Sequence, residues 1–392
     1  MTSFGRHMLA HWALDPDTIY LNHGTVGAPP RRVLAAQQAI RDEIERQPAR
    51  FLLRELSSTL VGRATTRVPR LRQAAAVVAE FVGARGADLV FVDNATAGMN
   101  AALRSVDLRP GDEIVVADHA YGAVAKVAGF IARERGAAVR TAALPWPPRP
   151  EAVVAAVVGA IGPRTRVAIV DHVTSESALV LPLAAIAAAC RARGVAVLVD
   201  GAHAPGAIPV DIPALGVDWY SANLHKWAWS PRSCGVLWAA PERQTGLHAP
   251  VISWGLDQGF TAEFDWPGTR DPSPALAAPE GIAFMRELGV EAVQGYDHAL
   301  AWQAGQVLTE RWGTTLVQEE SQIGTMVTVP LPARVGTTRE DAARLRDALL
   351  FEERIEVQLH EFRGGLWVRV SAQVYNDLAD VERLAEAVAA RL

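Results

Sequence analysis

Lysine is scarce in this chain: of 38 lysines and arginines, only Lys126 and Lys226 are lysine. Lys226 stands in "SANLHKWAWSP" (residues 221–231), beside Trp227 and Trp229, a poor setting for a solvated cation. Arginine is the general cation elsewhere, so position 226 asks for something a guanidinium lacks. A lysine can lose its proton and form an imine with an aldehyde; an arginine cannot. The plainer alternative is a buried ion-pair lysine. Lys126, in "YGAVAKVAGF", reads as a solvated helix lysine.

Two further groups point the same way. Asp200 ends the apolar run "VAVLVD" (195–200), where a carboxylate needs a cationic or donor partner. It either bonds the following "GAHA" turn or holds a heteroaromatic nitrogen protonated. "DNATAGMN" (93–100) passes from a strand through small and hydroxyl residues into a helix. Free N–H groups and the helix dipole at such a start suit a phosphate; taken alone, it is an ordinary N-cap at Thr96. A phosphate cradle, a carboxylate for a ring nitrogen and an imine-forming lysine together match pyridoxal phosphate. Rival chemistries lack their motifs. There is no GxGxxG after a strand, no P-loop, no HExxH and no GxSxG. His7 and His11 are spaced i,i+4 without a nearby glutamate, so they read as one face of an N-terminal helix and not as a metal site. Trp227, Trp229, Trp254 and Trp266 read as core or interface packing.

The elements that must position these groups are legible. "DLVFV" (88–92), "DEIVVAD" (112–118), "RVAIVD" (166–171), "VAVLVD" (195–200), "VDWYSA" (217–222) and "GVLWAA" (235–240) are short apolar or β-branched runs. Alanine-rich segments of helical period separate many of them, which predicts βα units around a mostly parallel sheet. Glycines and prolines interrupt the pattern at 256–279. Helical segments follow over about 280–312, then strand and helix patterns ending in "LWVRVSA" and an amphipathic helix, which predict a smaller α+β domain. Ligands of open α/β sheets bind beyond the carboxyl ends of the strands. That rule gathers Asn94, Thr96, His119, Tyr121, Ser175, Asp200, His203 and Lys226 around one crevice.

The 392 residues suffice for two domains and a large core. Half the residues are hydrophobic and 21% charged, as in ordinary soluble proteins. A net charge of -5 without a basic block argues against nucleic-acid binding. Cys190 and Cys234 belong to no CxxC or disulfide framework, which points to a reducing compartment. Neither a signal-peptide core nor an apolar run of about 18 residues is present. The expectation is a cytoplasmic protein without a membrane partner.

"VLVDGAHAPG" followed by "SANLHKW" resembles the class V aminotransferase group of fold-type-I pyridoxal-phosphate enzymes. "YLNHGTVGAPPRRV", "FLLREL", "DHVTSESALVLP", "PGTRD" and "WVRVSAQVYN" narrow the likeness to the isopenicillin N epimerase-like branch, which also holds cysteine-desulfhydrase-like C–S lyases. The resemblance implies a mostly parallel seven-stranded sheet in a large domain (30–285), preceded by a segment bordering the site (1–29) and followed by a small α+β domain (286–392). It implies that Lys226 carries pyridoxal 5′-phosphate as an imine and moves the Cα proton, while Asp200 pairs with the pyridine nitrogen. Ser175 and His203 would surround the 3-hydroxyl. Ala95, Thr96, Asn223 and His225 would hold the phosphate. Tyr121 would stack on the ring, with His119 as the alternative. Thr269 would reach the phosphate of a neighbouring subunit, which implies a homodimer. Arg369 would clamp the α-carboxylate of an amino-acid substrate, and Asn22 and His23 would border it; for His23 a packing role is equally open.

Glu176 departs from the small or apolar residue usual in relatives, and no cysteine follows Cys234, which removes persulfide transfer. Four activities stay open: epimerisation or racemisation first, β-elimination by a C–S lyase second, transamination third, and a non-catalytic binding protein last. Epimerisation needs a proton donor on the far face of the ring, for which Tyr121 and His23 are the candidates.

Overall fold

The computed structural model describes residues 3–58 and 68–391. Seven strands form the large sheet: β1 (Leu89–Val92), β2 (Glu113–Ala117), β3 (Ala138–Ala142), β4 (Thr165–Asp171), β5 (Ala196–Asp200), β6 (Trp219–Asn223) and β7 (Gly235–Ala239). Their order is β1-β7-β6-β5-β4-β2-β3. All neighbours are parallel except β7, which runs antiparallel to both β1 and β6. Helices Ala95–Arg104, Gly122–Arg135, Pro150–Ala160 and Leu183–Arg191 connect the strands, so both faces are covered. The apolar runs obey this burial with period two. Ile114, Val116, Val167, Ile169 and Leu198 pack on one side, and Val115, Ala168, Val170, Val197 and Val199 on the other. The six runs seen in the sequence are six of these strands. The seventh, β3, is an edge strand whose "AVRTA" is mostly exposed, so it lacks the apolar signal.

A second, antiparallel sheet joins β8 (Met326–Pro330), β9 (Gln358–Phe362) and β10 (Gly365–Ser371) in the order β9-β10-β8. Helices Val290–Trp312, Arg339–Glu353 and Leu378–Ala389 surround it over a core of its own that includes Leu308, Leu349, Val368 and Leu384. The start of Arg339–Glu353 is a capping box, Thr338 with Asp341, worth about 1 kcal/mol. Ile19–Tyr20 pairs in parallel with Ile355–Glu356, and Asn22 bridges to Ser371, so the N-terminal segment is fastened to this sheet.

The break expected over 256–279 is only partial. Helix Ser273–Leu288 begins inside it, with Pro274 in the first turn where no N–H is needed. Gly289, at φ 90°, then separates it from Val290–Trp312. His7 and His11 fall in a short 3₁₀ helix, Arg6–His11. Among the described residues, no helix is long and apolar enough to cross a membrane.

Candidate active site

β4, β5 and β6 end side by side, and their last residues open onto a cavity of about 380 Å³. Ten residues singled out in the sequence line it: Asn94, Ala95, Thr96, Tyr121, Ser175, Asp200, His203, Asn223, His225 and Lys226. A larger cavity of about 670 Å³ lies behind Asn94, around Asp93, Arg232 and Arg270. It holds no lysine, so the smaller one is the candidate active site.

One wall is the start of helix Ala95–Arg104. The N-cap is Asn94, two residues earlier than expected: its side chain accepts from Ala97 N at 3.0 Å. Asn223 Oδ1 takes Ala95 N–H at 2.8 Å, and Thr96 lies between the two bonded positions at the cavity wall. Gly98 allows the helix this close to β6, since a Cβ there would fall 2.1 Å from Ser221 Oγ. That hydroxyl in turn donates to the carbonyl of Ala95 at 2.9 Å. The result is a short, rigid helix start aimed at the site.

Lys226 sits in the loop between β6 and β7, where Trp229 (φ 57°) and Ser233 (φ 62°) hold left-handed backbones. Non-glycine residues in that region store strain and cluster at functional sites. Burial first and the Arg369 charge second draw the Lys226 amine down to about 7, against the opposing pull of Asp200. Nζ lies 3.0 Å from His203 Nε2, and Trp227 Nε1–H donates to His203 Nδ1 at 3.3 Å. His225 Nδ1 is 3.0 Å from the Cys234 carbonyl, so it must donate, leaving Nε2 bare; burial holds this ring neutral, with a value of about 4.

Asp200 Oδ1 accepts from Ala202 N at 3.0 Å; burial raises its carboxyl, while the Ala202 N–H and Lys226 oppose that. The "GAHA" bond and the cavity-facing role therefore coexist. Beside it stands a residue the sequence reading passed over. Asp171 is the direct partner of Asp200 across β4 and β5, on the same face, and it too lines the cavity. Burial first, and the charge of Asp200 second, push its carboxyl well above the carboxylate range; its Oδ2 has no hydrogen-bond partner. The signal was present: "VAIVD" ends on aspartate as "VAVLVD" does.

The remaining predicted residues lie outside the cavity wall. Arg369, on β10, is buried behind it: Nη1 donates to the Ser175 carbonyl at 2.7 Å and Nη2 to Thr25 Oγ1 at 2.8 Å. Thr25, itself a wall residue, comes from the N-terminal segment. Asn22 is spent on Glu356 at 2.7 Å. His23 is fully buried behind Lys226, with Nε2 3.0 Å from the Lys226 carbonyl and Nδ1 2.8 Å from Tyr375 Oη. Gly27, at φ 65°, lets this segment cross the lysine loop, because a Cβ would lie 1.8 Å from the His225 carbonyl oxygen. His119 also lies off the wall, bonded to Ser177 at 2.8 Å and packed against Trp146 and Phe362. Thr269 is exposed outside the cavity, beside Ala249, Pro250 and Val251 and in a pocket that also touches Ala97. Lys126 is exposed on helix Gly122–Arg135.

These residues fit pyridoxal phosphate by their chemistry. A deprotonable lysine faces a buried carboxylate in one cavity, and a helix start closes one side. Lys226 would bind the aldehyde carbon, Asp200 the ring nitrogen, and Thr96, Asn223 and His225 the phosphate.

The family model described as Aminotransferase class-V matches residues 19–384. The chain is 34% identical to the isopenicillin N epimerase of Streptomyces clavuligerus, over 96% of this chain and 95% of that one. It is 33% identical to a probable chloroplastic L-cysteine desulfhydrase of Arabidopsis thaliana, over 95% of this chain and 83% of the relative. Among solved structures, a cysteine desulfurase from Thermococcus onnurineus NA1 shares the fold with a TM-score of 0.80 at 19% identity, covering 98% and 97% of the two chains. A lysine-centred cavity at the carboxyl ends of these strands and a match over nearly the whole length lead to one assignment: the chain belongs to the class V aminotransferase family and is a pyridoxal-phosphate-dependent enzyme.

Proposed function

We propose that the enzyme acts at Cα of an amino acid and inverts its configuration, as an epimerase or racemase. The observation that carries the reading is the meeting of Lys226, an amine near neutrality at about 7, with Arg369, a buried guanidinium anchored to two wall residues, Ser175 and Thr25. Arg369 binds the substrate carboxylate and so orients Cα toward Lys226, which takes the proton as a neutral base. When bound, the cofactor supplies an electron sink for the pair left at Cα. Asp200 keeps the ring nitrogen protonated so that the sink persists. Likeness to an epimerase over 95% of its length favours inversion.

Elimination at Cβ by a C–S lyase is the second reading, favoured by the 33% identity to a desulfhydrase. It needs the same first proton transfer and no far-face donor. Heavy water separates the two. Holoenzyme is incubated with an L-amino-acid panel, cysteine included, and the products are examined for D-isomer, Cα deuterium, keto acid and released thiol. Deuterated D-isomer without keto acid is the expected result. Pyruvate and thiol from cysteine, with no D-isomer from any substrate, would establish the lyase.

The assembly proposed is a homodimer of chains divided at about residues 29 and 285. Val251, Ile252, Trp254 and Leu256 leave apolar side chains exposed, Trp254 at 76%, and Val251 shares a pocket with the exposed Thr269. A partner covering them would take this apolar surface out of water. Cys190 and Cys234 are free and buried, which supports a cytoplasmic setting.

A further inference from the structure

Lys226 has to be unprotonated twice, once to bind the aldehyde and again when the substrate amine has displaced it and it must take a proton. Its environment contains a donor chain that bears on this. The indole N–H of Trp227 can only donate, and it donates to His203 Nδ1 at 3.3 Å. Nδ1 must therefore be the bare nitrogen, and the one ring proton resides on Nε2. Nε2 faces Lys226 Nζ at 3.0 Å. An ammonium offers only N–H bonds, so it would turn hydrogen against hydrogen there. A neutral amine offers a lone pair and accepts. An imidazolium is excluded on the same ground, because its Nδ1–H would oppose the indole.

We propose that Trp227 is a positioning residue for the lysine before it: its N–H fixes His203 as the Nε2–H tautomer, and that N–H holds Lys226 as the neutral amine. Trp227 is 1% exposed, with its ring 5.2 Å from that of His23, so the donor cannot swing away. The other groups around Lys226 do not reverse this. Arg369, from β10, repels an ammonium, and Asp200, at the end of β5, favours one. Asp171, at the end of β4, is pushed toward its neutral form. His225, in the lysine's own loop, is held neutral by burial. Only Asp200 pulls against the donor chain.

This rests on Lys226 being the cofactor lysine, and the test keeps the two apart. Cofactor-free protein is trace-labelled with acetic anhydride from pH 5 to 11, and peptide mass spectrometry reads Lys226 with Lys126 as the internal reference. Wild type should show a Lys226 midpoint near 7. In Trp227→Phe, His203 is free to move its proton to Nδ1 and accept from the ammonium, so the midpoint should rise by about one unit, which makes the neutral fraction about tenfold smaller at pH values well below the midpoint. In a His203→Leu background the same substitution should add nothing, since no polar side chain is left to relay the indole's hydrogen bond. An unmoved midpoint in folded Trp227→Phe, or an equal shift with and without His203, overturns the proposal. Should Trp227→Phe not fold, ¹⁵N-histidine NMR of the wild type decides: His203 protonated on Nδ1 would refute it. Borohydride trapping of the cofactor on a residue other than Lys226 would overturn the parent reading and leave the labelling result standing.

Discussion

Replacing Arg369 by lysine tests the proposed substrate clamp. Arg369 is 3% exposed, and the bonds of its guanidinium to the Ser175 carbonyl (2.7 Å) and Thr25 Oγ1 (2.8 Å) fix its plane. Nε is buried without a partner. A guanidinium has five N–H bonds, so one edge remains for a carboxylate, which it can take through two parallel bonds. Lysine keeps the charge but presents it as a point on a flexible stem, so one of the two bonds is lost. A charge-assisted hydrogen bond contributes roughly 1.5–3 kcal/mol, which predicts a fall in kcat/KM of about 10- to 150-fold. The assay compares each L-amino acid with the amine that lacks its carboxylate, in wild type and Arg369→Lys. Only the amino acid should lose, and the absorbance of the lysine-bound cofactor should not change. An equal loss for both substrates would mean that Arg369 acts by packing alone.

Asp200→Glu keeps the charge but displaces it by a methylene, and turnover should drop about a hundredfold; Asp200→Ala should drop further and bind cofactor weakly, whereas near-wild-type turnover would make Asp200 structural. Asp171→Asn keeps the shape of a carboxyl already pushed toward its neutral form, so the pH dependence of cofactor absorbance should match wild type, and a displaced titration would show Asp171 to be ionised. His23→Phe leaves the Lys226 carbonyl and Tyr375 hydroxyl without partners and should cost about 2–4 kcal/mol at pH 8 by denaturant melts. The folded His23 takes a proton only near 4, whereas the unfolded one does so near 6.5, so wild type loses His23-linked stability as pH falls; its gap to the variant should narrow by about 2 kcal/mol between pH 7 and 5.

Strands buried on both faces announce themselves, which is why six of the seven were read from their apolar runs and the exposed β3 was not. Of the strand-end residues gathered from the sequence, all but His119 line one cavity, because the rule that places them depends only on sheet direction. Asn94 rather than Thr96 as the helix cap lies within the ordinary error of a boundary read from composition. Asp171 was missed although it ends its strand as Asp200 does. Its meaning depends on the register of β4 against β5, and a single sequence does not show which residues stand opposite across strands. The roles of His23 and Trp227 are illegible for a similar reason. Their partners, Lys226, Tyr375 and His203, are assembled by contacts between distant segments.

The same contacts narrow the choice of far-face proton donor. His23 was one candidate, but Nε2 must donate to a carbonyl and Nδ1 accepts from Tyr375, so its only proton points into the backbone. His119 is bonded to Ser177 and boxed by Trp146 and Phe362, off the cavity wall. Tyr121 lines the cavity, 48% exposed, at the start of helix Gly122–Arg135. It is the candidate with both access and a proton to give. Tyr121→Phe should therefore uncouple the two halves of inversion. Lys226 would still remove and return the Cα proton on its own side, so deuterium from heavy water enters the L-isomer at close to the wild-type rate. Formation of the D-isomer should fall at least about a hundredfold, the usual contribution of one general acid. Chiral chromatography coupled to mass spectrometry reads both quantities in a single incubation. D-isomer forming at the wild-type rate would place the donor elsewhere. Loss of exchange together with loss of inversion would mean that Tyr121 holds the ring in place and does not supply the proton.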